Sequence, residues 1–213
     1  DMSDTTPILL WFRRDLRLGD HPALAEACAS GRPMIPVFIH DEVVEGHGAA
    51  PKFRLGLSVG SLARDLEAKG SRLILRRGRA LDCLRDLIAE TGAGAVWWTR
   101  AYDPDARARD EAVKSSLKED GIDARSFGGH LLFEPWTVET QTGGFYKVYT
   151  PMWKAVRDRE VETPLAEPGA IPAPGNWPAS DALDDWAMDA AMRRGHDVVM
   201  AHVCVGESAA RDR

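Results

Sequence analysis

Short apolar runs alternate with amphipathic segments through the first part of the chain. Five runs have the length and composition of buried strands, at 8–12, 34–39, 72–76, 95–98 and 122–127. Between them, apolar residues recur at helical spacing in the segments 23–29, 52–69, 81–88 and 106–119. This alternation predicts a Rossmann-like α/β fold, with five parallel strands in the order 3-2-1-4-5 and helices on both faces.

The first strand changes abruptly into a charged loop. Five charged residues lie between Arg13 and Asp20, directly after the apolar run 8–12. Asp20 and Pro22 predict a helix start, with the carboxylate as its cap. Loops at the carboxyl ends of parallel strands are where open α/β sheets bind ligands. The pattern therefore predicts a ligand site here, and the alternative is an ordinary strand-to-helix connection with solvated charges.

The periodicity ends near residue 128. The segment 131–136 is predicted to be extended, and 149–156 to be a helix that starts at a proline. Prolines then recur at positions 164, 168, 172, 174 and 178, which predicts an extended connector. The segment 181–213 is too short to form a core of its own. We expect this segment, including Trp186 and Met188, to be mobile, or to be ordered only by packing on the sheet domain or on another copy of the chain.

Composition narrows the class of protein. The chain has 213 residues, of which 44% are hydrophobic and 28% charged, as in a packed soluble domain. Its net charge of −6 argues against a DNA footprint on this part of the protein. Three widely spaced cysteines predict reduced thiols and a cytoplasmic location. We expect no signal peptide, no membrane span and no metal site, and the chain contains no G-x-G-x-x-G fingerprint.

Several segments resemble one family. The opening WFRRDLRLGDHPAL, at 11–24, resembles the photolyase/cryptochrome family of blue-light flavoproteins, as do VFIHD at 37–41 and the longer segments 51–78 and 128–155. HVCVGESAARDR, at 202–213, resembles the first helix of that family's second domain. The resemblance implies an antenna domain over 7–130 and an interdomain connector over 131–180. It also implies the truncated start of a helical FAD-binding domain over 181–213.

The same resemblance implies an activity for the full-length protein. It would be a deoxyribodipyrimidine photolyase, which repairs pyrimidine dimers in blue light by electron transfer from reduced FAD. FAD, damaged DNA and every catalytic residue would belong to the helical domain, so we expect this chain alone to be non-catalytic, without a tightly bound cofactor, and prone to self-association. The alternatives are a cryptochrome photoreceptor and a stand-alone nucleotide-binding α/β domain.

In this family the α/β domain holds an antenna chromophore in many members: a folate such as methenyltetrahydrofolate, a deazaflavin or a flavin. In other members the pocket is empty, and this is an alternative here too. The resemblance places this pocket above the carboxyl ends of the strands, where we expect the candidates Phe12, Arg13, Phe38, His40, Arg54, Tyr102, Asp103, Asp105 and Arg107. Arg13 or Arg54 would pair with a carboxylate or phosphate, and Phe38 or Tyr102 would stack on a ring.

The sequence does not fully match the pattern of any one chromophore class. Folate binders carry Asn-Glu where this chain has Asp105 and Ala106, whereas Asp103 stands where deazaflavin binders place a glutamate. The alternative for Arg107, Arg109 and Asp110 is a solvated helix face with local ion pairs.

Overall fold

The computed structural model describes residues 4–129, 164–186 and 188. Its strands are β1 (Ile8–Phe12), β2 (Met34–His40), β3 (Ile74–Arg77), β4 (Ala95–Thr99) and β5 (Asp123–Phe127). Its α-helices are α1 (Pro22–Ala29), α2 (Glu42–Glu45), α3 (Ala49–Ala68), α4 (Ala80–Thr91) and α5 (Pro104–Glu119). All strand pairs are parallel, in the order β3-β2-β1-β4-β5, so the predicted fold class and strand order are confirmed. The predictions for 131–136, 149–156 and 189–213 lie outside the described residues.

The central strand β1 is buried on both faces because it is apolar at every position. Leu10 and Phe12 contribute to the core layer that includes α1 and α3. Leu9 and Trp11, on the opposite face, contribute to the layer that includes α4 and α5. The helices therefore cover both faces, and the carboxyl edge of the sheet is left for polar loops. Within the described part of the chain, no helix is long and apolar enough to cross a membrane.

The first helix starts differently from the prediction. His21, not Asp20, is the N-cap of α1: its Nδ1 accepts a hydrogen bond from the Leu24 amide at 3.0 Å. Asp20 has a positive φ of 49°. Its amide donates to the Leu165 carbonyl at 2.8 Å, and its carboxylate accepts from the Leu165 amide at 3.3 Å. The predicted capping carboxylate instead holds a distant segment of the chain.

That segment, residues 164–186, is an extended strap that ends in a short 3₁₀ helix. The strap covers the edge of β3, where the Leu75 amide donates to Ser180 Oγ at 2.8 Å and the Asp181 amide donates to the Leu75 carbonyl at 2.8 Å. Proline is compatible with such an arrangement because a strap can bond through its carbonyl and hydroxyl oxygens without a proline N–H. The strap therefore protects a sheet edge that would otherwise expose unpaired backbone groups.

Trp186 and Met188 pack on the sheet domain, which is one of the expected arrangements. Trp186 is only 5% exposed and belongs to the same core layer as α3. Met188 packs on Gly56 of α3, where an added Cβ would lie 3.4 Å from the Met188 side chain. Trp186 of the strap is therefore buried against β2, and Met188, just beyond the strap, is buried against α3.

Candidate functional site

A cleft of about 380 Å³ opens at the carboxyl ends of β1, β2 and β4. Its walls come from the loops after these strands, from α2, and from the first turns of α5. The lining residues are Arg13, Arg14, Asp15, Phe38, Ile39, Asp41, Val43, Val44, His47, Leu55, Thr99, Arg100, Ala101, Tyr102, Asp103, Ala106 and Arg109. This is the position at which an open α/β sheet binds ligands, and the volume suits a small multi-ring molecule.

One wall of the cleft is a buried ion pair. The two terminal nitrogens of Arg13 bond to the two carboxylate oxygens of Asp110, at 2.6 and 2.9 Å. Arg13 also donates to the Thr99 carbonyl at the end of β4. A bidentate pair of this kind is strong and geometrically specific. Arg13 therefore ties β1 to β4 and α5, and its guanidinium is occupied by protein groups.

A second arginine extends this wall. Arg109 bonds to Asp41 at 3.0 Å and to Asp110 at 3.1 Å. The guanidinium carbons of Arg13 and Arg109 lie 4.6 and 4.9 Å from the ring centre of Trp11. The charges of the two guanidinium groups cancel those of the Asp41 and Asp110 carboxylates, so the wall has no net charge. The alternative of a solvated helix face is therefore wrong for Arg109 and Asp110.

Asp41, which directly follows β2, links this wall to α2. Its Oδ1 accepts hydrogen bonds from the Val43 and Val44 amides, at 3.0 and 3.1 Å, and so caps the helix. Its Oδ2 bonds to Arg109. One carboxylate therefore both starts α2 and fixes this helix against α5.

The charged loop after β1 is held by a second buried pair. Asp15 accepts a hydrogen bond from the Arg13 amide at 2.9 Å, and its other oxygen lies 2.5 Å from His21 Nε2. Burial by itself would raise the pKa of Asp15, but the neighbouring His21 and the hydrogen bonds outweigh it and hold this pKa well below its usual range. The loop is thus rigidly attached to α1.

The predicted site residues fall into two groups. Arg13, Phe38, Tyr102 and Asp103 line the cleft, and Asp103 also caps α5 by accepting from the Ala106 amide at 3.3 Å. The other five lie elsewhere: Phe12 in the core, His40 beneath Trp186, Arg54 exposed on α3, Asp105 in a groove beside α2, and Arg107 in a groove beside β5.

The sequence did not single out Arg14, Asp41, His47 or Asp110 as site residues. Asp41 could have been found, because it directly follows β2 at the same edge as Arg13. His47 lies in a segment without periodicity, and nothing local marks it. Asp110 is 97 residues from Arg13 along the chain, so only the folded structure shows the pair.

The fold is a doubly wound α/β domain with a cleft at the carboxyl edge of its sheet. A family model described as DNA photolyase matches residues 8–170, and the chain belongs to this family. It is 44% identical over 185 residues to the deoxyribodipyrimidine photo-lyase of Agrobacterium fabrum, covering 86% of this chain and 39% of that protein. It is 36% identical over 164 residues to cryptochrome-2 of Arabidopsis thaliana, covering 75% of this chain and 27% of that one.

Solved structures agree with this assignment. The crystal structure of a bacterial class III photolyase from Agrobacterium tumefaciens matches with a TM-score of 0.78 and 43% identity, over 87% of this chain and 39% of that one. A photolyase from Sulfolobus tokodaii, solved with two FAD molecules, matches in fold with a TM-score of 0.68 and 23% identity, over 86% and 42% of the two chains. The chain therefore spans between 27% and 42% of the length of these four proteins, and its fold is that of the photolyase amino-terminal domain.

Proposed function

We propose that this chain is the antenna-chromophore domain of a DNA photolyase and that the cleft at the carboxyl edge of the sheet holds the chromophore. The observation that carries the proposal is the cleft itself. Phe38, Leu55 and Tyr102 give it apolar and aromatic surface. Thr99 supplies a buried Oγ1 without a hydrogen-bond partner among the described residues. A flat ring with polar edges would satisfy both features.

The residues of the chain have separate roles in this proposal. Phe38 and Tyr102 contact the ring, and the wall formed by Arg13, Asp110, Arg109 and Asp41 supports it without adding net charge. Asp103 presents a carboxylate at the start of α5. When bound, a folate, deazaflavin or flavin absorbs blue light and supplies excitation to the flavin of the full-length protein. Titration with each of the three determines which one binds.

For the full-length protein we propose light-driven repair of pyrimidine dimers in DNA, with FAD as the electron donor. The greater identity to a photolyase, 44% against 36% to a cryptochrome, favours repair over signalling. FAD and damaged DNA would bind outside the described residues. A cytoplasmic location is part of the same proposal, and it accords with the free thiols of Cys28 and Cys83.

Substitution of Ala101 by tryptophan should block chromophore binding. Ala101 lines the cleft, and an indole there would occupy the volume that a ring needs. We expect the dissociation constant of the chromophore that binds the wild-type chain to rise at least about tenfold. Fluorescence titration with methenyltetrahydrofolate, an 8-hydroxydeazaflavin and FMN measures it.

The matched control is Ala29→Trp. Ala29 is an exposed residue at the end of α1, next to the amino edge of the sheet, so this change should leave binding as it is in the wild type. Absence of saturable binding for all three chromophores would refute the proposal. Equal affinities for Ala101→Trp and the wild type would place the chromophore elsewhere.

The chain alone should not repair DNA. In the proposal, the electron donor and the dimer both bind outside the described residues. After illumination with added reduced FAD, a dimer-containing oligonucleotide should keep all its dimers, as measured by chromatography of the digested product. Repair above a protein-free control would show that this chain carries catalytic residues.

A further inference from the structure

The mouth of the cleft holds an unusual contact between two basic side chains. Arg14 Nη2, in the loop after β1, lies 3.2 Å from Nε2 of His47, which follows α2. Both residues line the cleft; Arg14 is exposed and His47 is half-buried. Because a guanidinium can only donate hydrogen bonds, the imidazole must accept here. His47 is therefore neutral in this arrangement, with its proton on Nδ1.

Arg14 differs from Arg13 and Arg109, the two buried arginines of the cleft wall. Arg13 is paired with Asp110, and Arg109 is paired with Asp41 and Asp110. Arg54, the other arginine predicted to bind an anion, does not line the cleft. Arg14 forms no ion pair with a carboxylate among the described residues, and its guanidinium contacts the imidazole of His47.

Charged groups from every neighbouring element act on His47. Burial is the largest influence and lowers the pKa of His47, and the positive charge of Arg14 lowers it further. Lys52 of α3 acts in the same direction, whereas Asp41 and Asp103 oppose it. The adjoining groove adds charges of both signs, from Glu42, Arg79, Asp105 and Arg109. An anion placed between Arg14 and His47 would favour the protonated imidazole and so raise the pKa of His47.

We propose that Arg14 and His47 form an oxyanion site at the mouth of the cleft, and that His47 takes up a proton from solvent when the anion binds. The carboxylate or phosphate would accept one hydrogen bond from Arg14 and one from the newly protonated Nε2 of His47. It would thereby replace the present contact between the two side chains. The assignment of this anion to the tail of the chromophore rests on the proposed function, but the oxyanion site itself does not.

The site is tested first without a chromophore. Sulfate serves as the probe because its charge is constant in this pH range, and chloride at equal ionic strength is the reference. The Cε1–H resonance of His47 should titrate at a higher pH in sulfate than in chloride. Sulfate should bind about tenfold more tightly near pH 6 than near pH 8.

Three variants separate the site from a general effect of charge. Arg14→Gln should abolish the sulfate-dependent shift of His47. Arg85→Gln removes a positive charge that is paired with Asp120, outside the cleft, and should leave the shift intact. His47→Gln keeps a hydrogen-bond acceptor and should remove the pH dependence of sulfate binding. The proposal fails if His47 titrates identically in the two salts, or if the shift survives in Arg14→Gln.

Chromophore analogues then test whether the oxyanion site binds the tail of the chromophore. FMN should bind about tenfold more tightly than riboflavin near pH 6, and this ratio should shrink as the pH rises. Methenyltetrahydrofolate is compared in the same way with its glutamate diamide, so that the two pairs distinguish a phosphate from a carboxylate. Equal affinities within both pairs would overturn the assignment of the tail and leave the chromophore cleft in place. A sulfate shift with no chromophore bound would support the oxyanion site and refute the proposed function.

Discussion

Replacement of Asp110 by asparagine should lower the free energy of unfolding by about 3–5 kcal/mol. Asp110 holds both terminal nitrogens of Arg13 and also bonds to Arg109. The side chains of Arg13 and Asp110 are only 8% and 12% exposed, so water cannot replace the lost carboxylate. The variant would leave a buried guanidinium without its counter-charge, a loss that costs far more than a surface ion pair contributes. Urea denaturation, read as a lower midpoint at an unchanged slope, measures the effect.

The matched control is Asp120→Asn, which breaks the pair between Asp120 and Arg85 at the surface. Those two side chains are 39% and 45% exposed, and solvent screens their attraction. We expect almost no change in the midpoint for this variant. If the two variants were equally destabilised, burial would not be what makes the Arg13–Asp110 pair important.

Replacement of Trp186 by alanine should release the strap, residues 164–186, from the sheet. Trp186 is almost completely buried, lies 5.9 Å from Phe38 between ring centres, and donates from Nε1 to Asp181 at 3.1 Å. Removal of a buried indole costs about 3–5 kcal/mol, which corresponds to a rise of roughly a hundredfold or more in local opening. Hydrogen exchange at the Leu75 and Asp181 amides reports this opening, because both amides donate hydrogen bonds that join β3 to the strap.

A second tryptophan of the strap provides the control. Trp177 is only partly buried and lies over Arg72 at 5.2 Å, so Trp177→Ala should accelerate exchange far less. The interpretation would be contradicted if Leu75 exchanged in Trp186→Ala as slowly as in the wild type. It would also be contradicted if the two alanine variants behaved alike.

The sheet could be predicted from the sequence because its signals are local. Each strand is a short apolar run, and each long helix carries its own stripe of apolar residues, so the element order follows from reading along the chain. The strap could not be predicted in this way. Its prolines remove any periodicity, and its anchoring bonds reach Asp20 and Leu75, which are far away in sequence.

The position of the site could be predicted from the sequence, but the different roles of its arginines could not. Composition marks the loop after β1 as charged, yet it cannot tell Arg13 from Arg14. In the structure Arg13 points to a buried carboxylate on α5, while its neighbour Arg14 reaches the mouth of the cleft. The difference depends on Asp110, a residue that is remote in sequence and that only folding brings beside β1.

The position of the bound chromophore is the most direct test of the antenna proposal. Amide chemical shifts of the isotope-labelled chain would be followed during titration with methenyltetrahydrofolate, an 8-hydroxydeazaflavin and FMN. If the cleft holds the chromophore, the largest changes will fall on the segments 13–15, 38–47 and 99–103, which surround it. Largest changes at the amino edge of the sheet, in the segments 30–33 and 91–94, would contradict the proposal.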